Sequence, residues 1–244
     1  MALVTGANAG IGQATVPELI DAGYAVIASG RRPDAVETSL AALDEQRRTH
    51  TLVIGLDIAD EQSVATLADR LPERWRQIDV LVNNAGHDRG GRRRFHQSDP
   101  TDFLSVVRTN LMGTMHLTHT VLGAMVERDR GHIVNVGSVQ GLYSYPKTAA
   151  YTASKFGLHG FSETLRLDYA ATGIRVTEIL PGAVRTSFAE RRWQDHDRAE
   201  EFYAKMGTTL SAADVAEAIV WSLAQPAHVD VSMVVLQPSG PSPS

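Results

Sequence analysis

Short apolar, β-branched runs alternate with amphipathic stretches from one end of the 244-residue chain to the other, and nothing else in the sequence restricts the fold as much. That alternation marks βαβ units, in which a helix carries the chain back over the sheet between parallel strands. Seven strands are expected, near Ala2–Thr5, Ala25–Ser29, Thr51–Leu56, Val80–Asn83, His132–Val136, Arg175–Leu180 and Ser232–Leu236. Most of these runs are continuously apolar, as strands are when helices cover both faces of the sheet. Helices are expected near 11–22, 34–47, 61–74, 99–127, 149–171 and 212–224. Ser98-Asp99-Pro100 and Ser211 supply start signals, and Gly23 and Gly173 sit where helices should stop. The fold class is therefore α/β: one doubly wound domain over residues 1–238, with a seven-stranded parallel sheet and helices on both faces. Residues 239–244 read as a flexible Pro/Ser-rich tail. The stretch from Pro181 to Gly207 shows no regular pattern, and so long a loop in a compact domain suggests a lid over a site.

Composition narrows the partners. A hydrophobic fraction of 43% with 21% charged residues is enough to fill a core between layers of helix and sheet. Cysteine is absent, which removes disulfides, thiolate metal sites and thiol nucleophiles, and fits the cytoplasm. Met1 to Thr5 runs straight into the first strand, leaving no room for a leader peptide. No apolar run reaches the roughly 18 residues of a membrane span. A net charge of −5 argues against nucleic acid, whose phosphates require a basic field. The nine histidines are scattered without ligand spacing, so no metal is expected. The partner indicated is a small molecule.

Thr5-Gly6-Ala7-Asn8-Ala9-Gly10-Ile11-Gly12 follows the first strand and opens the first helix. Glycine there allows a tight turn and lets backbone N–H groups approach a pyrophosphate, which the helix N-terminus favours. The order strand, glycine loop, helix makes this a Rossmann-type dinucleotide site. The second strand runs out into Ser29-Gly30-Arg31-Arg32. An acidic residue at that point holds the free 2′-hydroxyl of NAD, whereas guanidinium groups fork onto the 2′-phosphate of NADP, so NADP(H) is favoured over NAD. Asp57 and Asn83-Asn84-Ala85-Gly86 follow later strands and face the same crevice, although Asp57 equally suits a helix cap.

Tyr151 and Lys155, four residues apart, lie on one helix face. A phenol with an ordinary pKa of about 10 exchanges protons poorly near neutrality, and a neighbouring ammonium favours the phenolate. Such a pair is common by chance, but here Ser138, after the fifth strand in Asn135-Val136-Gly137-Ser138, offers a hydroxyl to a substrate oxygen.

Taken together and in order, the glycine motif from Thr5 to Gly12, Asn83-Asn84-Ala85-Gly86, Asn110, Ser138, Tyr151 with Lys155, and Pro181-Gly182 resemble the signature of the short-chain dehydrogenase/reductase family. The resemblance spans about residues 2–237 and implies an NADP(H)-dependent oxidoreductase acting on CH–OH groups, with strand order 3-2-1-4-5-6-7. It further implies a homo-oligomer, tetramer or dimer, built through the long helices. Tyr151 would be the general acid/base, Lys155 would lower its pKa and hold the nicotinamide ribose, Ser138 would polarise the carbonyl, and Asn110 would hold a relay water. Cofactor contacts implied are Gly6, Asn8, Ala9, Gly10, Ile11, Gly12, Arg31 and Arg32 on the phosphates. Asp57, Ile58, Asn83, Ala85 and Gly86 would line the adenosine side, and Pro181, Gly182, Val184 and Thr186 would border the nicotinamide.

A narrower resemblance rests on Ser29 to Arg32, Met125 to Arg128 with Gly131 to Ile133, and Pro226 to Val229 with Leu236 to Pro238. These are similar to the NADP-dependent 3-hydroxy acid dehydrogenases, a branch that includes serine dehydrogenases and sulfoacetaldehyde reductases. Small anionic substrates call for a cation, which Arg185, Arg191, Arg192 or the run Arg92-Arg93-Arg94 can supply; Ser138, Tyr145, Tyr151 and Arg185 form the expected substrate set. The run of three arginines departs from that branch. Two alternatives stay open: a ketoreductase or alcohol dehydrogenase for an uncharged carbonyl, with Tyr143, Tyr145 and Phe188 as an aromatic pocket, and a non-catalytic dinucleotide sensor or scaffold.

Overall fold

The seven apolar runs pair, all parallel, into one sheet of order β3-β2-β1-β4-β5-β6-β7, the order the resemblance implied. The strands are β1 (Ala2–Thr5), β2 (Val26–Gly30), β3 (Thr51–Gly55), β4 (Val80–Asn83), β5 (Gly131–Val136), β6 (Ile174–Pro181) and β7 (Met233–Leu236). The computed structural model describes residues 1–240; of the tail expected at 239–244, residues 241–244 lie outside the described residues.

Side chains alternate across a strand, so a continuously apolar strand feeds two cores at once. Val4, Ala28, Val82 and Val134 face one layer, where helices α1 (Gly10–Asp21) and α11 (Ala212–Leu223) contribute Val16, Leu19, Val215 and Ile219. Leu3, Ile27, Leu81 and Ile133 face the other, against Val64, Leu117, Val121 and Met125 of α4 (Glu61–Ala65) and α7 (Thr114–Glu127). Each Val, Leu, Ile or Met among them contributes about 1.5–3 kcal/mol by leaving water, and a one-residue slip of any strand would exchange its side chains between the two layers.

Several helices differ from the sequence expectation. The helix expected at 34–47 is two, α2 (Pro33–Ser39) and α3 (Glu45–Thr49), because Asp44 caps a new start by accepting from Arg47 N at 2.8 Å. The one expected at 61–74 breaks after α4 into α5 (Leu67–Arg70) and a short 3₁₀ turn behind Pro72. The long helix expected at 99–127 holds as α6 (Pro100–Val107) and α7, joined without interruption by a π-helical turn, Arg108–Gly113. The segment 181–207, expected to be irregular, folds into α9 (Phe188–Trp193) and α10 (His196–Met206). Gln194 bridges them with φ 54°, and Asp195 caps α10 by accepting from Arg198 N at 3.1 Å. Among the described residues no helix is long and apolar enough to cross a membrane.

Candidate active site

Parallel strands deliver their carboxyl ends to one edge, and the loops that leave them enclose a cleft of about 2090 Å³. Gly6 and Gly10 hold φ of 68° and 56°, the left-handed region that a side chain resists. A Cβ at Gly12 would meet the Gly6 carbonyl oxygen at 2.5 Å, so glycine there lets α1 start against the loop. Thr5 then braces β1 against the chain leaving β4: its Oγ1 accepts from Asn84 N and Ala85 N, both at 2.9 Å.

Most residues expected to hold a dinucleotide line this cleft. Gly6, Asn8, Ala9, Gly10 and Ile11 form its floor; Arg31, Arg32, Asp57 and Ile58 stand at one end; Ala85 and Gly86 follow. Ser138, Tyr145, Tyr151, Lys155, Pro181, Gly182, Val184 and Thr186 occupy the other end. Asp57 serves both of its readings, since it borders the cleft while its Oδ1 accepts from Ala59 N at 3.0 Å. A cradle with no room for a Cβ, and guanidinium groups where the second strand ends, fit a phosphorylated dinucleotide.

Four expected residues stand elsewhere. Gly12 lies behind the floor, as described. Asn83 is buried and does not border the cleft; its Nδ2 donates to Thr118 Oγ1 and Asn135 Oδ1, both at 2.9 Å. Asn135 passes the chain on to Ser162 Oγ at 2.8 Å, so Asn83 ties β4 and β5 to α7 and to α8 (Ala149–Asp168). Asn110, in the π-helical turn, spends its side chain on protein: Oδ1 accepts from His87 N, and Nδ2 donates to His87 O and Ser154 Oγ. Arg185 does not border the cleft: it pairs with Glu200 and lies over the Tyr203 ring.

At the chemical end, α8 places Tyr151, Ser154 and Lys155 along one buried face. Lys155 Nζ donates to Val136 O at 2.8 Å and sits 5.7 Å from the centre of the Tyr151 ring. Burial first, and the Asp88 carboxylate second, push the Tyr151 phenol up to about 12, against the pull of Arg192 and Ser138. Burial also draws Lys155 down to about 8, while the buried carboxylate of Glu178 works to keep it charged. Loss of water thus favours the neutral phenol.

The segment expected to be a lid lies over this pair. Phe188 meets Tyr151 edge-on, with ring centres 5.8 Å apart. Arg192, on the same short helix, is buried among Phe188, Trp193 and Phe202, and its Nε lies 2.7 Å from Asp88 Oδ2 on the loop leaving β4. Asp88 escaped the sequence reading because nothing in His87-Asp88-Arg89 distinguishes it from a solvated loop acid.

The short chain dehydrogenase family model matches residues 1–197. The chain belongs to the short-chain dehydrogenase family. Sulfoacetaldehyde reductase 2 of Chromohalobacter salexigens is 37% identical over 238 residues, 97% of this chain and 93% of the relative. An NADP-dependent 3-hydroxy acid dehydrogenase of Salmonella typhi is likewise 37% identical over 238 residues, covering 97% and 94%. Among solved structures, the closed form of serine dehydrogenase complexed with NADP⁺ superposes with a TM-score of 0.90 at 35% identity, over 96% of this chain and 93% of that one. This short-chain dehydrogenase is accordingly an oxidoreductase acting on CH–OH groups.

Proposed function

We propose that this short-chain dehydrogenase uses NADP(H) to interconvert a small anionic hydroxy acid with its aldehyde or ketone. The observation that carries the cofactor is the end of β2, where Arg31 and Arg32 border the cleft and no carboxylate stands in their place. The printed functions of the relatives, NADP-dependent 3-hydroxy acid dehydrogenase and sulfoacetaldehyde reductase, support the substrate class.

Bound NADP(H) supplies or accepts the hydride. Tyr151 Oη carries the proton to or from the substrate oxygen, and Ser138, beside it, donates to that oxygen and holds it in place. Lys155, anchored on Val136 O, holds the ribose and presents its charge beneath the phenol. Asn110 fixes the loop at His87 and, through Ser154, the turn of α8 that carries Tyr151. The lid excludes water from the reacting atoms. The assembly is a homo-oligomer, tetramer or dimer; exposed Leu104, Met115, Phe156 and Leu167 on α6, α7 and α8 support packing through those helices. A cytoplasmic setting accords with use of the cellular NADPH pool.

Loss of NADPH absorbance against a panel of small aldehydes, repeated with NADH and with Tyr151→Phe, tests the reading. Turnover should favour NADPH by at least about tenfold, one lost charge-assisted contact to phosphate, and the variant should be inactive. A preference for NADH, or an active variant, overturns it.

A further inference from the structure

Two arginines that line the cleft, Arg92 and Arg192, stand beside one carboxylate, Asp88, which lies behind its wall. Arg192 and Asp88 are both buried and paired, with Arg192 Nε 2.7 Å from Asp88 Oδ2. Arg92, from the run of three arginines on the loop after β4, lines the same cleft, and its guanidinium lies 5.2 Å from the centre of the Phe202 ring. Arg192 approaches that same ring at 5.6 Å. Asp88 can neutralise only one of them, so the cluster keeps one positive charge in surroundings of low polarity.

The hydrogen-bonding state agrees with the charge count. Arg192 Nη1 and Arg92 Nε are buried with no hydrogen-bond partner in the protein, and Arg192 Nε meets Asp88 Oδ2 as an ion pair without hydrogen-bond geometry. A guanidinium N–H taken out of water and left unpaired is costly, and such groups in a native cleft call for an acceptor. Burial, followed by the repulsion of Arg192, pulls Arg92 below its ordinary value. No other acid within the cluster relieves that strain: Arg185 has taken Glu200, and Asp102 has taken Arg89. Tyr145 and Tyr151 border the same end, so an anion held there places its neighbouring carbons beside the phenol.

We infer that Arg92 and Arg192 together form the subsite for the single negative charge of the substrate, a carboxylate or a sulfonate, with Asp88 orienting Arg192 and cancelling its charge. The inference rests on the hydroxy-acid reading above and assigns to it residues that the family signature does not contain. The planar fork of a guanidinium suits both carboxylate and sulfonate oxygens, and a surplus of one charge favours a monoanion over a dianion or a neutral chain. The subsite is assembled from two segments, the loop after β4 and α9, so it exists only while the lid is down.

Propionate and ethanesulfonate carry the anion without a reacting carbon and serve as probes. Their binding to the enzyme–NADP⁺ complex, measured by calorimetry for the wild type, Arg92→Met and Asp88→Asn, tests the subsite apart from turnover. Arg92→Met should weaken both by about 10- to 100-fold, the worth of a charge-assisted hydrogen bond. Asp88→Asn, which raises the surplus to two, should shift preference towards malonate over propionate. In parallel, kcat/KM for an acidic aldehyde relative to a neutral one of equal length should fall in Arg92→Met. Equal probe binding in wild type and Arg92→Met, or an unchanged ratio, overturns the inference while leaving the hydroxy-acid reading in place. Normal probe binding without hydride transfer to any acidic aldehyde overturns that reading and leaves the subsite standing.

Discussion

Tyr151 and Lys155 sit one turn apart on α8, and burial moves them in opposite directions, the phenol up and the ammonium down. Their pattern was legible in the sequence; the balance of forces on them was not, because it depends on Asp88 and Glu178, which are remote in sequence. Glu178 lies beneath Gly137, and its Oε2 accepts from His159 Nδ1 at 2.7 Å. Since its carboxylate helps Lys155 stay charged, Glu178→Gln should lower the lysine further below about 8. The alkaline fall of kcat/KM for carbonyl reduction should then move to lower pH; a limb that stays in place would show that the carboxylate does not reach the lysine. His132, buried in β5, is held down to about 3 by loss of water and by Arg175. Its unfolded form takes up a proton below about 6.5 while the folded form does not until about 3, so stability is lost as pH falls through that window. His132→Gln should flatten the decline of the urea midpoint between those values. Arg185 shows the limit of reading residues singly. A sequence offers Arg185, Arg191 and Arg192 as equals, and only the turn of α9 decides that Arg192 enters while Arg185 leaves.

Elements were legible where apolar periodicity wrote them and obscure where charge did. All seven strands stand within a residue or two of expectation, whereas α10, His-Asp-Arg-Ala-Glu-Glu in its first turns, reads as solvated chain until its cap and its buried tyrosine are seen. Tyr203 Oη donates to Val184 O and Thr186 O at 3.1 and 2.9 Å, fastening α10 to the strand end that borders the cleft. Tyr203→Phe should loosen the lid by about 1 kcal/mol, raising KM for NADPH several-fold and exposing 188–206 to limited proteolysis. Between β4 and β5, the Thr118–Asn83–Asn135–Ser162 chain engages Nδ2 of Asn83, the residue expected on the adenosine side. Asn83→Ala should cost about 1–3 kcal/mol by leaving buried partners unpaired, visible in urea unfolding. A normal midpoint with a raised KM for NADPH would instead favour direct contact. The π-helical turn at Arg108–Gly113 left no trace in the pattern, since one extra residue per turn barely disturbs apolar spacing over a single turn.

For the molecule as a whole, strand order follows from the chain's reversal after β3, and that reversal opens the crevice in which the glycine loop, the β4 exit and the β5 exit meet. Tertiary convergence of this kind is what made the cofactor half readable: each piece lies at a strand end that the pattern already marked. The substrate half is built from loops and the lid, where no periodicity exists to read. Outside, Leu104, Met115, Phe156 and Leu167 stay exposed on three helices that bury their opposite faces. Phe156→Glu should disrupt self-association, with a fall in sedimentation coefficient as the check; an unchanged value would remove these helices from the interface.

Of the three tryptophans, Trp75 is buried near the base of the sheet, Trp221 lies exposed on α11, and Trp193 belongs to the lid, packed against Phe202 with Arg192 and Arg198 over its ring. Arg192 and Arg198 travel with that indole, but opening the lid would part it from the loop at Gly91 and leave the other two untouched. The enzyme therefore carries a native optical reporter of its own closure, and in a Trp75→Phe, Trp221→Phe background the emission of Trp193 alone would time each opening and closing of the site.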